Sequence, residues 1–179
     1  MKLSTLSILL GAIVALPGVY GLMNPKKFAE TLRQYPRNVP LGWLFVGIAT
    51  AWFLYNLKQE SIADFEHLKK PMMLGFAALG VGTCVYVKDF LAARGAALLM
   101  LLLAKFIVDT ARWHESDWRL VIVVWAYALV VAGMWFTISP WRLRDVMEWK
   151  TANEKRIKAG CVFRLAFGGL LVGLGVAVF

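Results

Sequence analysis

Apolar residues run through this chain in uncharged blocks of 16 to 21 positions, and short segments rich in charged residues separate them. Because an α-helix rises 1.5 Å per residue, about 20 apolar residues cross a hydrocarbon core roughly 30 Å thick. Four blocks, at 3–23, 41–57, 72–87 and 120–138, contain no charged residue. Inside a bilayer the backbone satisfies its hydrogen bonds as a helix or a closed barrel. The pattern therefore predicts a transmembrane helix in each block.

Two further apolar segments, at 90–108 and 160–179, carry charged residues and still fit a transmembrane helix. Arg94 and Lys105 lie eleven residues apart, so their long side chains can reach opposite membrane faces. Arg164 lies one turn inside the last segment. We therefore predict an all-α fold, a polytopic membrane helix bundle with six transmembrane helices that forms a single integral membrane domain.

Composition agrees with this fold class, since 60% of the residues are hydrophobic, 17% are charged and the mean hydropathy is +0.63. In an ordinary soluble domain about a quarter of the residues are charged. These values exclude both a soluble globular domain and a disordered chain.

The net charge of +9 is divided unevenly between the two predicted membrane faces. The connections after the first, third and fifth spans, with the adjoining helix ends, hold 13 of the 20 basic residues. Cytoplasmic loops carry the excess of lysine and arginine, so this face is predicted to be cytoplasmic and both termini to lie outside. Such flanks account for the basic pI of 9.8, and we expect no nucleic-acid partner.

A faint parallel duplication relates residues 1–57 and 120–179, which flank a central helix pair at 71–108. Asn24-Pro25 follows the first predicted span, and Ser139-Pro140 follows the fifth. A small polar residue before a proline favours the start of a new helix. We therefore expect a short helix in each linker, where the chain leaves the bilayer.

The stretch from Pro140-Trp141-Arg142-Leu143 to Arg156-x3-Gly160, followed by a glycine-rich terminal helix, resembles a family of very small, uncharacterised bacterial inner-membrane proteins. Members of that family consist of two helices joined by an amphipathic linker with proline, aromatic and basic residues. The resemblance covers about 40–45 residues at the C-terminus and, more loosely, residues 16–52. The resemblance implies an architecture and no activity. We expect the chain to lie in the bacterial cytoplasmic (inner) membrane.

The linker at 141–158 is the candidate binding surface, because Trp141, Val146 and Trp149 can share an apolar face while basic residues stay in water. Segments with tryptophan and basic residues lie at the headgroup level and attract anionic lipids. The first linker repeats this pattern. The favoured alternative is that both linkers only determine topology. If they bind membrane lipids or other membrane subunits, the residues concerned are Arg33, Arg37, Trp141, Arg142, Arg144, Trp149, Lys150, Lys155 and Arg156.

The last predicted helix is rich in glycine, and Gly169 and Gly173 lie about one turn apart on it. This spacing lets the backbones of two helices approach closely in a membrane. We predict that this face contacts another membrane subunit; the alternative is that it packs inside the same chain.

The sequence offers no constellation of residues for catalysis. The two histidines, His67 and His114, fall among carboxylates on the predicted outer face, without the short spacing of a metal motif. We interpret them as solvated loop residues and predict no metal site. No acidic residue lies at mid-depth in a predicted span, which argues against an ion-coupled transporter.

These observations favour a non-catalytic accessory or scaffold subunit that binds partner proteins or lipids. The alternative is a small carrier or channel for a lipid-like or neutral solute. A third hypothesis, a membrane enzyme whose histidines and carboxylates meet on the outer face, has the least support. The sequence does not identify a cofactor.

Overall fold

The structure, a computed structural model, describes residues 2–60 and 63–179, which form eight α-helices and two short 3₁₀ helices. The α-helices are α1 (Leu3–Met23), α2 (Pro25–Gln34), α3 (Val39–Gln59), α4 (Lys69–Tyr86), α5 (Leu91–Ala111), α6 (Arg119–Ile138), α7 (Trp141–Thr151) and α8 (Glu154–Ala177). The 3₁₀ helices are Tyr35–Arg37, before α3, and Ala63–Leu68, before α4. No strand occurs in these two described ranges, and the predicted all-α class is confirmed.

Five of the described helices are long and apolar enough to cross a membrane, namely α1, α3, α5, α6 and α8. The chain therefore has the character of a multi-pass membrane protein. The remaining predicted span corresponds to α4, which is 18 residues long. It begins with Lys69 and Lys70, whose charges lower its hydropathy. Length and composition thus identify one span fewer than the six that the sequence pattern predicts.

Both predicted short linker helices are present. α2 begins at Pro25, and α7 begins one residue after Pro140. Each linker also ends in an asparagine that caps the following long helix. The side chain of Asn38 accepts a hydrogen bond from the backbone N–H of Leu41, and that of Asn153 accepts one from the N–H of Lys155. The two linkers thus begin and end alike, while the duplication of the whole helix pairs stays a prediction.

The helices form two compact units. The first unit contains Met1–Gln34, Leu103–Val131 and Arg144–Phe179, and the second contains Tyr35–Leu102 and Ala132–Leu143. The first unit therefore holds α1, α2 and α8 with parts of α5, α6 and α7. The second holds α3 and α4 with the remaining parts of α5, α6 and α7.

In the first unit, α1 and α8 pack through small residues that recur every seven positions, which is close to two helical turns. A Cβ atom built on Gly11 would lie 2.6 Å from the carbonyl oxygen of Gly168. One built on Gly168 would lie 2.7 Å from the carbonyl oxygen of Gly11, so the two backbones are in contact. Residues later in α1 contact residues earlier in α8, so the two helices are antiparallel. The facing pairs are Ser4 with Gly175, Gly11 with Gly168, and Gly18 with Cys161.

A buried hydrogen bond and an aliphatic core complete the first unit. The hydroxyl of Ser7, which is fully buried, donates to the backbone carbonyl of Leu171. Hydroxyl groups commonly form such bonds between membrane helices. The surrounding core residues come from four helices: Leu3, Leu6, Leu10, Ala104, Ile107, Ala111, Ile122, Ala126 and Leu171.

In the second unit, α3 packs against α4 in the antiparallel direction. The rings of Phe53 and Phe76 meet edge to face with centroids 4.8 Å apart. Three residues earlier on α3, the side chain of Thr50 contacts Gly80, four residues later on α4. Residues later in α3 thus contact residues earlier in α4, as expected of antiparallel helices.

α3 also packs against α5 in the second unit, and these two helices are parallel. A Cβ atom on Gly42 would lie 2.8 Å from the Cβ of Leu91. One on Gly95 would lie 2.7 Å from the Cβ of Phe45. Contacts thus advance along both helices in the same direction.

Candidate functional site

A cavity of about 550 Å³ lies within the first unit, between the linker helices and the long helices. α1 contributes Val14 to its wall, and α2 contributes Phe28 and Leu32. Trp125 of α6 lines it, as do Trp149 and Lys150 at the end of α7. The remaining wall is one side of α8: Arg156, Ile157, Ala159, Gly160, Cys161, Phe163, Arg164 and Phe167. Its size is typical of a site for a small molecule or part of a lipid.

Aromatic rings line one end of the cavity. Trp125 and Phe167 pack edge to face with centroids 5.6 Å apart. The rings of Phe163 and Phe167 are nearly parallel, with centroids 6.3 Å apart. Because these three side chains are aromatic and uncharged, this part of the wall can contact the hydrocarbon chain of a ligand.

Two basic side chains, Lys150 and Arg156, line the other end, where α7 ends and α8 begins. Arg164 also lines the cavity, two turns further along α8. The guanidinium of Arg156 lies over the ring of Trp149, 4.9 Å from its centroid, at cation–π distance. Its Nη1 also donates a hydrogen bond of 3.4 Å to the carbonyl of Trp149. The cavity is therefore amphipathic, with Lys150 and Arg156 at one end and Trp125 and Phe167 at the other.

No carboxylate lines this cavity among the described residues. Nearby acids are paired elsewhere: Glu154 with Lys158 at 2.8 Å, and Glu148 with Arg144 at 3.7 Å. Burial lowers the pKa of Lys150, and the positive charge of Arg164 lowers it further. Both effects disfavour the ammonium form, and a bound anion would oppose them by stabilising that form.

A hydrogen-bonded contact joins α2 to the end of α7 beside the cavity. Arg33 Nε donates to the hydroxyl of Thr151 at 2.9 Å, and Arg33 Nη2 donates to the Thr151 carbonyl at 2.9 Å. On the same helix as Arg33, Phe28 packs with Ile157 and Cys161, and all three side chains are buried. These contacts fix α2 against the start of α8 and so hold one wall of the cavity in place.

The structure brings together three of the predicted binding residues: Trp149, Lys150 and Arg156 line the cavity. Arg33 contacts the segment next to them. Lys155 is exposed outside the cavity wall.

The other predicted residues lie elsewhere. Arg144 forms an ion pair with Asp145 at 2.9 Å. Arg37, Trp141 and Arg142 belong to the second unit, where the Arg37 guanidinium lies 5.8 Å from the centroid of the Phe90 ring. The predicted set therefore does not form one continuous surface within a unit.

The predicted apolar face of α7 is only partly found. Val146 is half-buried, whereas Trp141 and Trp149 remain 47% and 62% exposed. In the first linker Tyr35 is half-buried near Phe45, with ring centroids 6.0 Å apart. Burial raises the pKa of Tyr35 to about 12, so its hydroxyl stays neutral at physiological pH.

Sequence reasoning missed the part of the site that α8 supplies. The sequence pattern indicates Arg164 only as a charge near a helix end, and it does not indicate Phe163 or Phe167 as part of a site. The signal was present, because Arg156, Gly160, Phe163 and Phe167 follow one another at spacings of four, three and four residues. Such spacings place side chains on one face of a helix.

The two histidines have different environments. His67 is exposed, as expected of a loop residue. His114 is half-buried: its ring meets that of Phe179 edge to face at 5.0 Å, and its Nδ1 accepts a hydrogen bond from the N–H of Ser116. Within residues 2–60 and 63–179, no group of three or more histidine, cysteine or acidic side chains is placed to hold a metal ion.

The glycines of α8 separate into packed and open positions. Gly168 and Gly175 contact α1, whereas a Cβ atom on Gly169 or Gly173 would meet no described atom within 4 Å. The two glycines predicted to contact another chain are thus open on the described structure. Their role in subunit contact stays a prediction.

Comparison of the chain with family models, with curated proteins and with solved structures gave no match. Function is therefore inferred from the cavity and its charges. The resemblance to small two-helix membrane proteins stays a prediction.

Proposed function

We propose that this protein is a non-catalytic accessory or scaffold subunit of the bacterial inner membrane that binds a membrane lipid in the first-unit cavity. The observation that carries the proposal is the division of the cavity wall into a basic end and an aromatic end. A lipid has the same division, with a polar headgroup and a hydrocarbon chain. The other proposed partners are membrane subunits.

Six membrane crossings, rather than five, are supported by the directions of the packed helices. If α1 and α8 both span the membrane and are antiparallel, the chain crosses an even number of times. If α3 and α5 both span it and are parallel, one crossing lies between them. α4 is the helix between them, and it is antiparallel to α3. We therefore assign the sixth crossing to α4, despite the two lysines at its start.

This topology places both termini on one side of the membrane, and the distribution of basic residues supports the outside. The cavity then opens near the cytoplasmic face. The test is cysteine labelling from each side of the membrane, in a chain with Cys84 and Cys161 replaced by alanine. A thiol at Glu30 is expected to react only from the cytoplasm, and one at Glu115 only from outside. The reverse pattern would overturn the orientation, and reaction of both from one side would overturn the crossing count.

Lipid binding is tested by filling the cavity. Gly160 lines the cavity, and a Cβ atom there meets no described atom within 4 Å. Leucine at this position is therefore expected to occupy lipid space without disturbing the fold. Native mass spectrometry of protein purified in mild detergent should show bound lipid for the unmodified chain and much less for Gly160→Leu.

Gly169→Leu is the matched control, because Gly169 is an equally open glycine on the same helix outside the cavity. It should retain lipid like the unmodified chain. Equal lipid retention by all three proteins would contradict lipid binding in this cavity.

The alternative, a carrier for a lipid-like solute, has less support. Basic residues line one end of the cavity, and the Trp125–Phe167 pair lines the other. This arrangement suits holding one molecule in a fixed direction. A carrier would move labelled lipid between the leaflets of proteoliposomes, and lipid flip in that assay would favour it.

A further inference from the structure

We infer that the ligand of the first-unit cavity is an anionic phospholipid of the cytoplasmic leaflet, with its phosphate held by Lys150 and Arg164. This inference rests on the proposed lipid-binding function and adds the chemical class of the lipid.

The charge of the cavity selects an anion. Lys150 and Arg164 lie close enough for the Arg164 charge to act on the Lys150 ammonium. No acidic side chain among the described residues forms an ion pair with either of them or lines the cavity. A zwitterionic headgroup would bring a cation of its own to this site, whereas a phosphatidylglycerol or phosphatidic acid headgroup brings net negative charge only.

The position of Arg164 strengthens this reasoning. It lies in α8, inside a helix apolar enough to cross the membrane, and it is half-buried. A charged group in a transmembrane segment is costly unless it reaches the interface or meets an opposite charge. A lipid phosphate at the basic end of the cavity supplies that charge without any acidic residue of the chain.

The length of the cavity matches one leaflet. Its α8 wall runs from Arg156 to Phe167, which are eleven positions apart and so about 16 Å apart along the helix. Half of a hydrocarbon core of about 30 Å is about 15 Å. A phospholipid with its phosphate near Lys150 would therefore lay an acyl chain along Gly160 and Phe163 as far as Phe167. Arg164 lies about 12 Å along α8 from Arg156, so its long side chain would reach this phosphate by extending back toward the end of α7.

Trp149 and Arg156 form the rim of the cavity, where a lipid headgroup would lie. Trp149 lines the cavity, and the Arg156 guanidinium lies over its ring. Tryptophan prefers the headgroup level of a bilayer, where its ring is half in hydrocarbon and half in water. The Trp149–Arg156 pair therefore marks the depth at which a headgroup would lie.

The experiment compares three lipids that differ in headgroup charge. Dioleoyl phosphatidylglycerol, phosphatidic acid and phosphatidylcholine compete for delipidated full-length protein in non-ionic detergent, and native mass spectrometry counts each bound lipid. Both anionic lipids are expected to bind roughly thirtyfold more tightly than phosphatidylcholine, the scale of effect that two basic side chains produce near anionic lipid.

The double variant Lys150→Gln/Arg164→Gln should lose that preference. The control Lys27→Gln/Lys88→Gln removes the same charge from exposed positions outside the cavity wall and should keep it. Tight binding of phosphatidylcholine, equal to that of the anionic lipids, would overturn the headgroup assignment and leave lipid binding intact. Equal loss of preference in the control would also overturn it, since the effect would then come from surface charge.

Binding of none of the three lipids would overturn both this inference and the proposed function. If the double variant does not fold, the single variant Lys150→Gln takes its place. The order of lipid affinities in the unmodified protein still decides the headgroup class.

Discussion

Gly168→Ala should destabilise the first unit, because this glycine lies where the backbones of α1 and α8 touch. The added methyl carbon would lie 2.7 Å from the carbonyl oxygen of Gly11, 2.9 Å from the Cβ of Ala15 and 3.0 Å from the backbone nitrogen of Ala15. Two of these three atoms belong to the backbone, so no side-chain rotation relieves the overlap. α1 and α8 must move apart locally.

The expected cost follows from the size of that movement. Bringing 2.7 Å to an ordinary carbon–oxygen contact requires a shift of about 0.5 Å or more, and overpacking of this kind costs about 1–3 kcal/mol. The nearby hydrogen bond from Ser7 to Leu171 spans the same pair of helices and would be weakened. Such bonds in membrane proteins contribute about 0.6 kcal/mol on average. The total expected loss is therefore about 1–4 kcal/mol of unfolding free energy.

The assay is reversible unfolding in mixed micelles of mild detergent and dodecyl sulfate, followed by circular dichroism. Gly169→Ala is the control: the neighbouring glycine gains the same methyl group, but no described atom lies within 4 Å of it. Its stability should change by less than about 0.5 kcal/mol. The close contact between α1 and α8 would be refuted if Gly168→Ala unfolded at the same detergent composition as Gly169→Ala.

Two further predictions concern contacts outside this helix pair. Arg33→Ala removes both hydrogen bonds to Thr151 and should speed hydrogen–deuterium exchange of the α2 amides, whereas Lys27→Ala on the same helix should not; equal exchange in both would show that the contact does not hold α2. Gly173→Leu should leave the isolated protein as stable as Gly47→Leu, since both positions are open, while reducing recovery of partner membrane chains. Loss of stability specific to Gly173→Leu would mean that this face packs within the chain.

The fold was largely predictable because long apolar blocks have few alternatives in a membrane. The helix ends were less predictable, as α8 shows. It begins at Glu154 rather than at position 160, because Asn153 caps it and the Glu154–Lys158 pair supports its first turn. Hydropathy indicates which residues lie in the hydrocarbon core. The end of a helix depends instead on capping residues and side-chain pairs, which can lie outside that core. Near the end of α5, Lys105 forms an ion pair with Asp109 at 2.8 Å.

The candidate site was predictable only in part. The linker residues Trp149, Lys150 and Arg156 were identified, because tryptophan beside basic residues indicates the membrane interface. Their partners were not, since the cavity also needs Val14 and Trp125, which are distant in sequence. A pattern within one helix cannot show which other helices complete a cavity.

In α8, assigning each residue to a face of the helix reveals more than looking for one glycine spacing. Successive helical residues are about 100° apart, so the sequence of α8 divides into three stripes roughly a third of a turn from one another. Positions 161, 168 and 175 form the stripe that contacts α1, and 156, 160, 163 and 167 form the cavity wall. Positions 169 and 173 form the third stripe, which is open. Gly169 and Gly173 have the four-residue spacing of a common membrane-helix contact motif. Within the chain, however, α8 packs against α1 through residues spaced by seven, and these face Ser4, Gly11 and Gly18 of α1. Because two stripes are committed to α1 and to the cavity, a partner subunit that contacts α8 can approach closely only along the third.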